Sequence, residues 1–163
     1  MAATSAARGE RTRARLLDAA VRLIVEQGWG EVTTRRVAAR AGVPQGTVHY
    51  HFATVGDLRI EAALDALARA RVTVDGADPS TAVLLTETLL AATREDRLRG
   101  ELSALMRQWH AGEEDVVTAA VLAATLHSLV LHRLVDPGTP ATPPQGALRR
   151  LARPDAGGGS AGG

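Results

Sequence analysis

The sequence contains no cysteine, which removes disulfides, thiolate metal sites and a cysteine nucleophile together. Lysine is missing as well: all nineteen basic residues other than histidine are arginine. That reads first as a GC-rich coding background, and second as a preference for side chains able to grip phosphate or guanine with two hydrogen bonds. Aromatic residues make up only 2% of a chain that is 45% hydrophobic. Alanine and leucine fill most apolar positions, which favours close-packed helices over a β-rich fold. Long uninterrupted apolar runs are also lacking. Residues 1–15 hold no apolar stretch of the kind a secretion signal needs, and 119–135, the most apolar segment, is broken by His127, Ser128, His132 and Arg133. Neither secretion nor a membrane span is expected, and a cytoplasmic location is.

No sign of charge dominates, since the net charge is +1. The distribution is uneven, however. Residues 1–59 carry nine arginines against five acids, and residues 60–163 carry ten against thirteen. The basic excess therefore lies in the N-terminal third, where an anionic partner would be met.

Punctuation and periodicity divide the chain into four parts: a disordered arm over 1–9, a first domain over 10–54, a helical second domain over 55–153 and a flexible tail over 154–163. Leu16, Leu17, Ala20, Leu23, Ile24 and Gln27 recur at one-face helical spacing and predict a helix over 10–27, ended by Gly28 and Gly30. Thr33 or Thr34 offers a hydroxyl cap for a second helix over 35–41, which Gly42 stops. A third helix over 45–51 follows Val43 and Pro44. Further helices are predicted over 55–74, 80–93, 95–110, 115–135 and 145–152. The fold class is all-α.

The stretch 34–52 has the arithmetic of a helix-turn-helix. Two helices cross steeply only where a small residue sits at the contact, a permissive residue makes the turn and apolar residues pin the second helix. Ala38, Gly42, and the pair Val43 and Val48 supply these in order. The flanking residues extend the pattern. Arg13, Leu16, Leu17, Ala19, Ala20, Leu23 and Ile24 are followed by Glu26, Gly28, Thr33 and Thr34. Val37, Ala38, Ala41, Gly42 and Val43 come next, then Gly46, Thr47, Val48, Tyr50, His51 and Phe52, and finally Asp57 and Leu58. Over 13–58 the chain resembles the TetR family of transcriptional regulators.

The resemblance implies an N-terminal three-helix DNA-binding domain joined by helix 4 to a shortened C-terminal helical bundle. It also implies a homodimer on a palindromic double-stranded DNA operator, with the third helix in the major groove. By position, Arg35, Pro44, Gln45, Gly46 and His49 would meet base edges. Arg35 can donate twice to guanine, and Gln45 can pair with adenine. Thr34, Arg36, Thr47, Tyr50 and His51 would meet phosphates, aided by the N-termini of the second and third helices. Phe52 is assigned to the core, and Trp29 to packing at the end of the first helix. Relatives commonly hold a phosphate-anchoring lysine where Val55 stands here, a loss that Arg59 could offset from one turn further on.

In the second domain, 126–137 looks like the family's penultimate helix, which builds the dimer interface in relatives. The chain is short between Gln108 and Val116, so an effector cavity would be small or absent. Its candidate lining is Leu64, Leu67, Leu89, Leu102, Met106, Trp109, His110 and His127, suited to a weakly polar small molecule. No cofactor and no metal is expected. His127 and His132 lie five apart and share a helix face poorly. With no nucleophile motif, no glycine-rich phosphate loop and no catalytic residue to name, an enzyme is not expected. The leading expectation is a ligand-responsive repressor. A DNA-binding dimer without an effector pocket and a helical protein-interaction module that reads no DNA are its alternatives.

Overall fold

A computed structural model describes residues 2–70, 78–109, 111, 116–136 and 138. The expected last helix, 145–152, and the expected tail lie outside them. Seven α-helices occur among the described residues: α1 (Ala2–Gln27), α2 (Thr34–Ala41), α3 (Gln45–His51), α4 (Val55–Ala70), α5 (Pro79–Ala92), α6 (Asp96–Trp109) and α7 (Val116–Val135). A 3₁₀ turn at Trp29–Glu31 links α1 to α2. The described residues contain no strand, in keeping with an all-α helix-turn-helix domain followed by a helical domain.

Two boundaries differ from expectation. Helix α1 reaches back to Ala2, so residues read as a disordered arm are helical; Ala2, Ala3, Ala6 and Ala7 favour helix without needing an apolar face. Helix α4 is described only as far as Ala70, with 71–77 outside the described residues.

The helix ends show why the chain turns where it does. The Thr33 hydroxyl accepts the Arg36 N–H at 3.3 Å, capping α2. At the other end Gly42 adopts φ +64°, in the left-handed region. Its N–H reaches the Ala39 carbonyl at 3.2 Å and that of Val43 reaches Ala38 at 3.0 Å, which closes the helix with a paired Schellman arrangement. Thr54 and Asp57 cap α4 reciprocally: the Thr54 hydroxyl accepts the Asp57 N–H at 3.0 Å, and the Asp57 carboxylate accepts the Thr54 N–H at 3.0 Å.

One continuous core joins the two halves. Leu16, Ala20 and Ile24 of α1 are completely buried, together with Val37 of α2, Leu58, Ala63 and Leu67 of α4 and Leu98 of α6. Helix α1 packs on α2, α4 and α5, α3 rests on α2, and α5 also contacts α4, α6 and α7. The helix-turn-helix is thus carried mainly by α1, and α1 is seated on the second domain.

Candidate nucleic-acid interface

The α2–turn–α3 unit buries one side and leaves the other open. Val37, Ala38 and Ala41 of α2, with Val48 of α3, enter the core, and Phe52 follows them at 4% exposure. What remains outside is the set of residues expected at base edges: Arg35, Pro44, Gln45, Gly46 and His49 are all exposed. Tyr50 stands 85% exposed, its ring meeting His51 edge-on at 5.1 Å. Thr34, Thr47 and His51 are half-buried.

The arginines of α2 have divided tasks. Arg40 forms a two-pronged pair with Glu26, which holds the Glu26 carboxyl below its usual range. Arg36, expected at a phosphate, is exposed and bonds within the protein through Nη1. It donates to Gln27 Oε1 at 3.1 Å, to the Glu31 carbonyl at 3.3 Å and to the Glu31 carboxylate. Lying four residues apart, Arg36 and Arg40 share a face of α2 and staple it to the end of α1. Arg35, on another face, has no acidic partner among the described residues. Behind the turn, Arg15 donates to the Ala41 carbonyl, and Arg13 pairs with Glu61 while lying 4.9 Å over the Phe52 ring.

Val55 packs half-buried against the core, and Arg59, expected to offset the lysine that relatives hold there, lies against Trp29. The Arg59 guanidinium lies 5.6 Å over the Trp29 ring, and Nη1 donates to the Trp29 carbonyl at 3.4 Å. Its Nε is buried without a partner among the described residues.

Of the residues expected around an effector, Leu67 and Leu102 are packed into the core, and Leu64, Met106 and Trp109 lie half-buried against it. Leu89 is exposed, and His110 lies outside the described residues. His127 is half-buried on α7 opposite Thr86 of α5, with Nε2 2.9 Å from the threonine hydroxyl. That hydroxyl already donates to the Ala82 carbonyl, so His127 donates from Nε2. Burial pushes its pKa below the ordinary 6.5. A separate groove of about 370 Å³ opens between α1 and α4. It is lined by Leu17, Asp18, Val21, Asp65, Ala66 and Arg69 among others, and shares no residue with the expected effector lining.

No group of three or more metal-binding side chains gathers among the described residues. Nor is any helix there long and apolar enough to cross a membrane.

Sequence reasoning passed over Trp29, Glu87, Glu95 and Arg97. The sequence marks Trp29 for packing alone, and no local pattern marks the acids as its partners. Their contacts bridge 58 and 66 residues of sequence.

Comparison with known proteins matches residues 16–62 to the family of bacterial regulatory proteins described as the tetR family. An uncharacterized HTH-type transcriptional regulator of Mycobacterium tuberculosis is 30% identical over 141 residues, 73% of this chain and 72% of that protein. A TetR-family member from Streptomyces coelicolor is similar in structure, with a TM-score of 0.61 at 29% identity, over 78% of this chain and 90% of that one. The multidrug binding protein EbrR, solved with malachite green, gives a TM-score of 0.56 at 26% identity, over 78% and 89%.

Proposed function

Because the chain belongs to the TetR family and is a transcriptional regulator with a DNA-binding helix-turn-helix, we propose that it is a repressor. In this reading it works as a homodimer on a palindromic operator and leaves the DNA when a weakly polar small molecule binds. The observation that carries the reading is Arg35. Among the three arginines of α2 it alone stands exposed with no acidic partner among the described residues, beside an open α3 surface.

A free guanidinium at that place can donate to guanine O6 and N7 together. Gln45 can pair with adenine in the same groove, with Pro44, Gly46 and His49 against neighbouring base edges. Thr34, Thr47, Tyr50 and His51 hold phosphates and set the register without reading sequence. Arg36 joins that set, since its bonds to Gln27 and Glu31 all leave from Nη1 and the guanidinium carries further donors on Nε and Nη2 that can meet a phosphate.

Dimerisation is supported by α7, whose first sixteen residues hold no charged side chain apart from any proton on His127. Val121 is 59% exposed and Val135 88% exposed, which leaves apolar surface for a second copy. Response to a small molecule is supported by the solved complexes of EbrR with malachite green and ethidium. With Leu67 and Leu102 close-packed, an effector would have to enter beside Leu64, Met106, Trp109 and His127. An effector that prefers the non-binding arrangement of the dimer would empty the operator by population shift.

A gel-shift titration against the DNA upstream of the protein's own gene tests this. Wild type should prefer a dyad in that DNA to random sequence and release it on addition of malachite green or ethidium. Arg35→Ala should cost about 1–3 kcal/mol of binding and relax the preference at one base pair. Equal binding to all DNA would refute the operator reading, and indifference to every compound would refute the ligand response.

A further inference from the structure

Trp29 has more partners than packing requires. Gly28, at φ +95°, lets the chain turn sharply off α1 while its own N–H still reaches the Ile24 carbonyl at 2.9 Å. The turn aims the Trp29 N–H at Glu87 Oε2 of α5, 2.9 Å away. The ring is buried, and its Nε1–H donates to Glu95 Oε1, between α5 and α6, also at 2.9 Å. The carbonyl accepts from Arg59 of α4, whose guanidinium lies over the ring. Each polar group of Trp29 therefore ends on a residue of the second domain. A phenylalanine would fill the space, but only the indole can reach Glu95.

The other side of the same turn is gripped by α2, through the bonds from Arg36 to the Glu31 carbonyl and carboxylate. The 3₁₀ turn is thus held between the recognition unit and the bundle. Within the second domain, Arg97 of α6 pairs with Asp57, the residue that caps α4. We infer that Trp29, clamped by Glu87 and Glu95, is a positioning residue that fixes the angle of the α2–α3 unit on the second domain. The angle matters because two recognition helices in a dimer must meet half-sites about one helical turn apart. Its consequence for DNA rests on the operator reading above, whereas the clamp itself does not.

The absence of cysteine makes the test direct, because labels can be placed without background thiols. Ala39→Cys on α2 and Gln108→Cys on α6, both exposed positions, are spin-labelled in the full chain and diluted with unlabelled protein. Pulsed dipolar spectroscopy should give a narrow distance distribution. Glu87→Leu with Glu95→Leu should broaden it, and Glu87→Gln with Glu95→Gln, which keep a carbonyl acceptor, should restore it. In unlabelled protein the leucine pair should weaken dyad binding about tenfold, the scale of losing charge-assisted hydrogen bonds. It should leave binding to a single half-site unchanged.

Trp29→Phe supplies the same readout should the leucine pair fail to fold, since it removes one donor and keeps the apolar bulk. An unchanged distance distribution in these variants overturns the clamp. So does a broadened one with an unaltered ratio of dyad to half-site affinity. If wild type shows no preference for a dyad, the operator reading falls, and the distance distribution still decides the clamp.

Discussion

Gly42 decides whether α2 and α3 can cross as they do. Its φ of +64° is one that a side chain resists, and a Cβ there would lie 3.4 Å from Arg15 Nη2. Space is therefore adequate and the backbone conformation is the obstacle. Gly42→Ala should destabilise the fold by about 1–2 kcal/mol, the strain of a non-glycine residue in the left-handed region. The measurement is a urea titration, in which the midpoint should fall while the slope stays constant. A variant as stable as wild type would show that the turn does not depend on that conformation. The arginines are a different kind of single-residue problem. Arg35, Arg36, Arg40 and Arg59 are chemically identical, yet one has no acidic partner among the described residues, two staple α2 to α1 and its turn, and one lies over Trp29.

Between elements, α4 is where a cap becomes a tie. The Asp57 carboxylate accepts from the Thr54 hydroxyl at 2.7 Å and the Thr54 N–H, and also pairs with Arg97 of α6. The Thr54 hydroxyl and then Arg97 hold its pKa below the ordinary 3.8. A carboxyl depressed on folding adds stability above its unfolded pKa and loses it as pH falls through the folded value. Wild type should therefore exceed Asp57→Asn in melting temperature at neutral pH, with the gap closing only below the usual aspartate range. A gap of constant size down to strong acid would mean that the carboxylate charge is not what holds α4. The same elements show what could be read without a structure. Helix α3 has the expected bounds, Gln45–His51, because Pro44 starts it and the apolar pair Val48 and Phe52 faces inward. The start of α1 was missed because alanine gives helix propensity without the periodicity that marks a buried face. The 3₁₀ turn was missed because its bonds go to Glu87 and Glu95, distant in sequence. The open face of the candidate site was legible, since exposure follows from the spacing of the residues that are buried. The engagement of Arg36 and Arg59 was not, because it depends on which acids and rings the tertiary fold brings near.

At the scale of the whole molecule, the basic excess of residues 1–59 gives the helix-turn-helix half an attraction for DNA that the other half lacks. One monomer would present a single α3 of seven residues, a short reading head whose affinity rises when a second copy is fixed beside it. Helix α7 is suited to that pairing. Val121, Ala124, Ser128 and Val135 are all exposed and recur at intervals of three, four and seven, so they lie along one side of the helix. The small members of that stripe would let another helix approach closely, while the α7 residues turned toward α5 stay with their own chain. Val121→Glu combined with Ala124→Glu places two charges on this surface, at exposed positions outside the core. Sedimentation velocity should show a dimer for wild type and a monomer for the double variant at equal concentration, with helical content unchanged and the melting temperature no longer rising with protein concentration. Operator affinity should fall with the loss of the dimer, while affinity for a single half-site persists, because α3 itself is untouched. A double variant that remains dimeric and keeps its dyad preference would move the interface away from α7, to a surface that does not include this stripe.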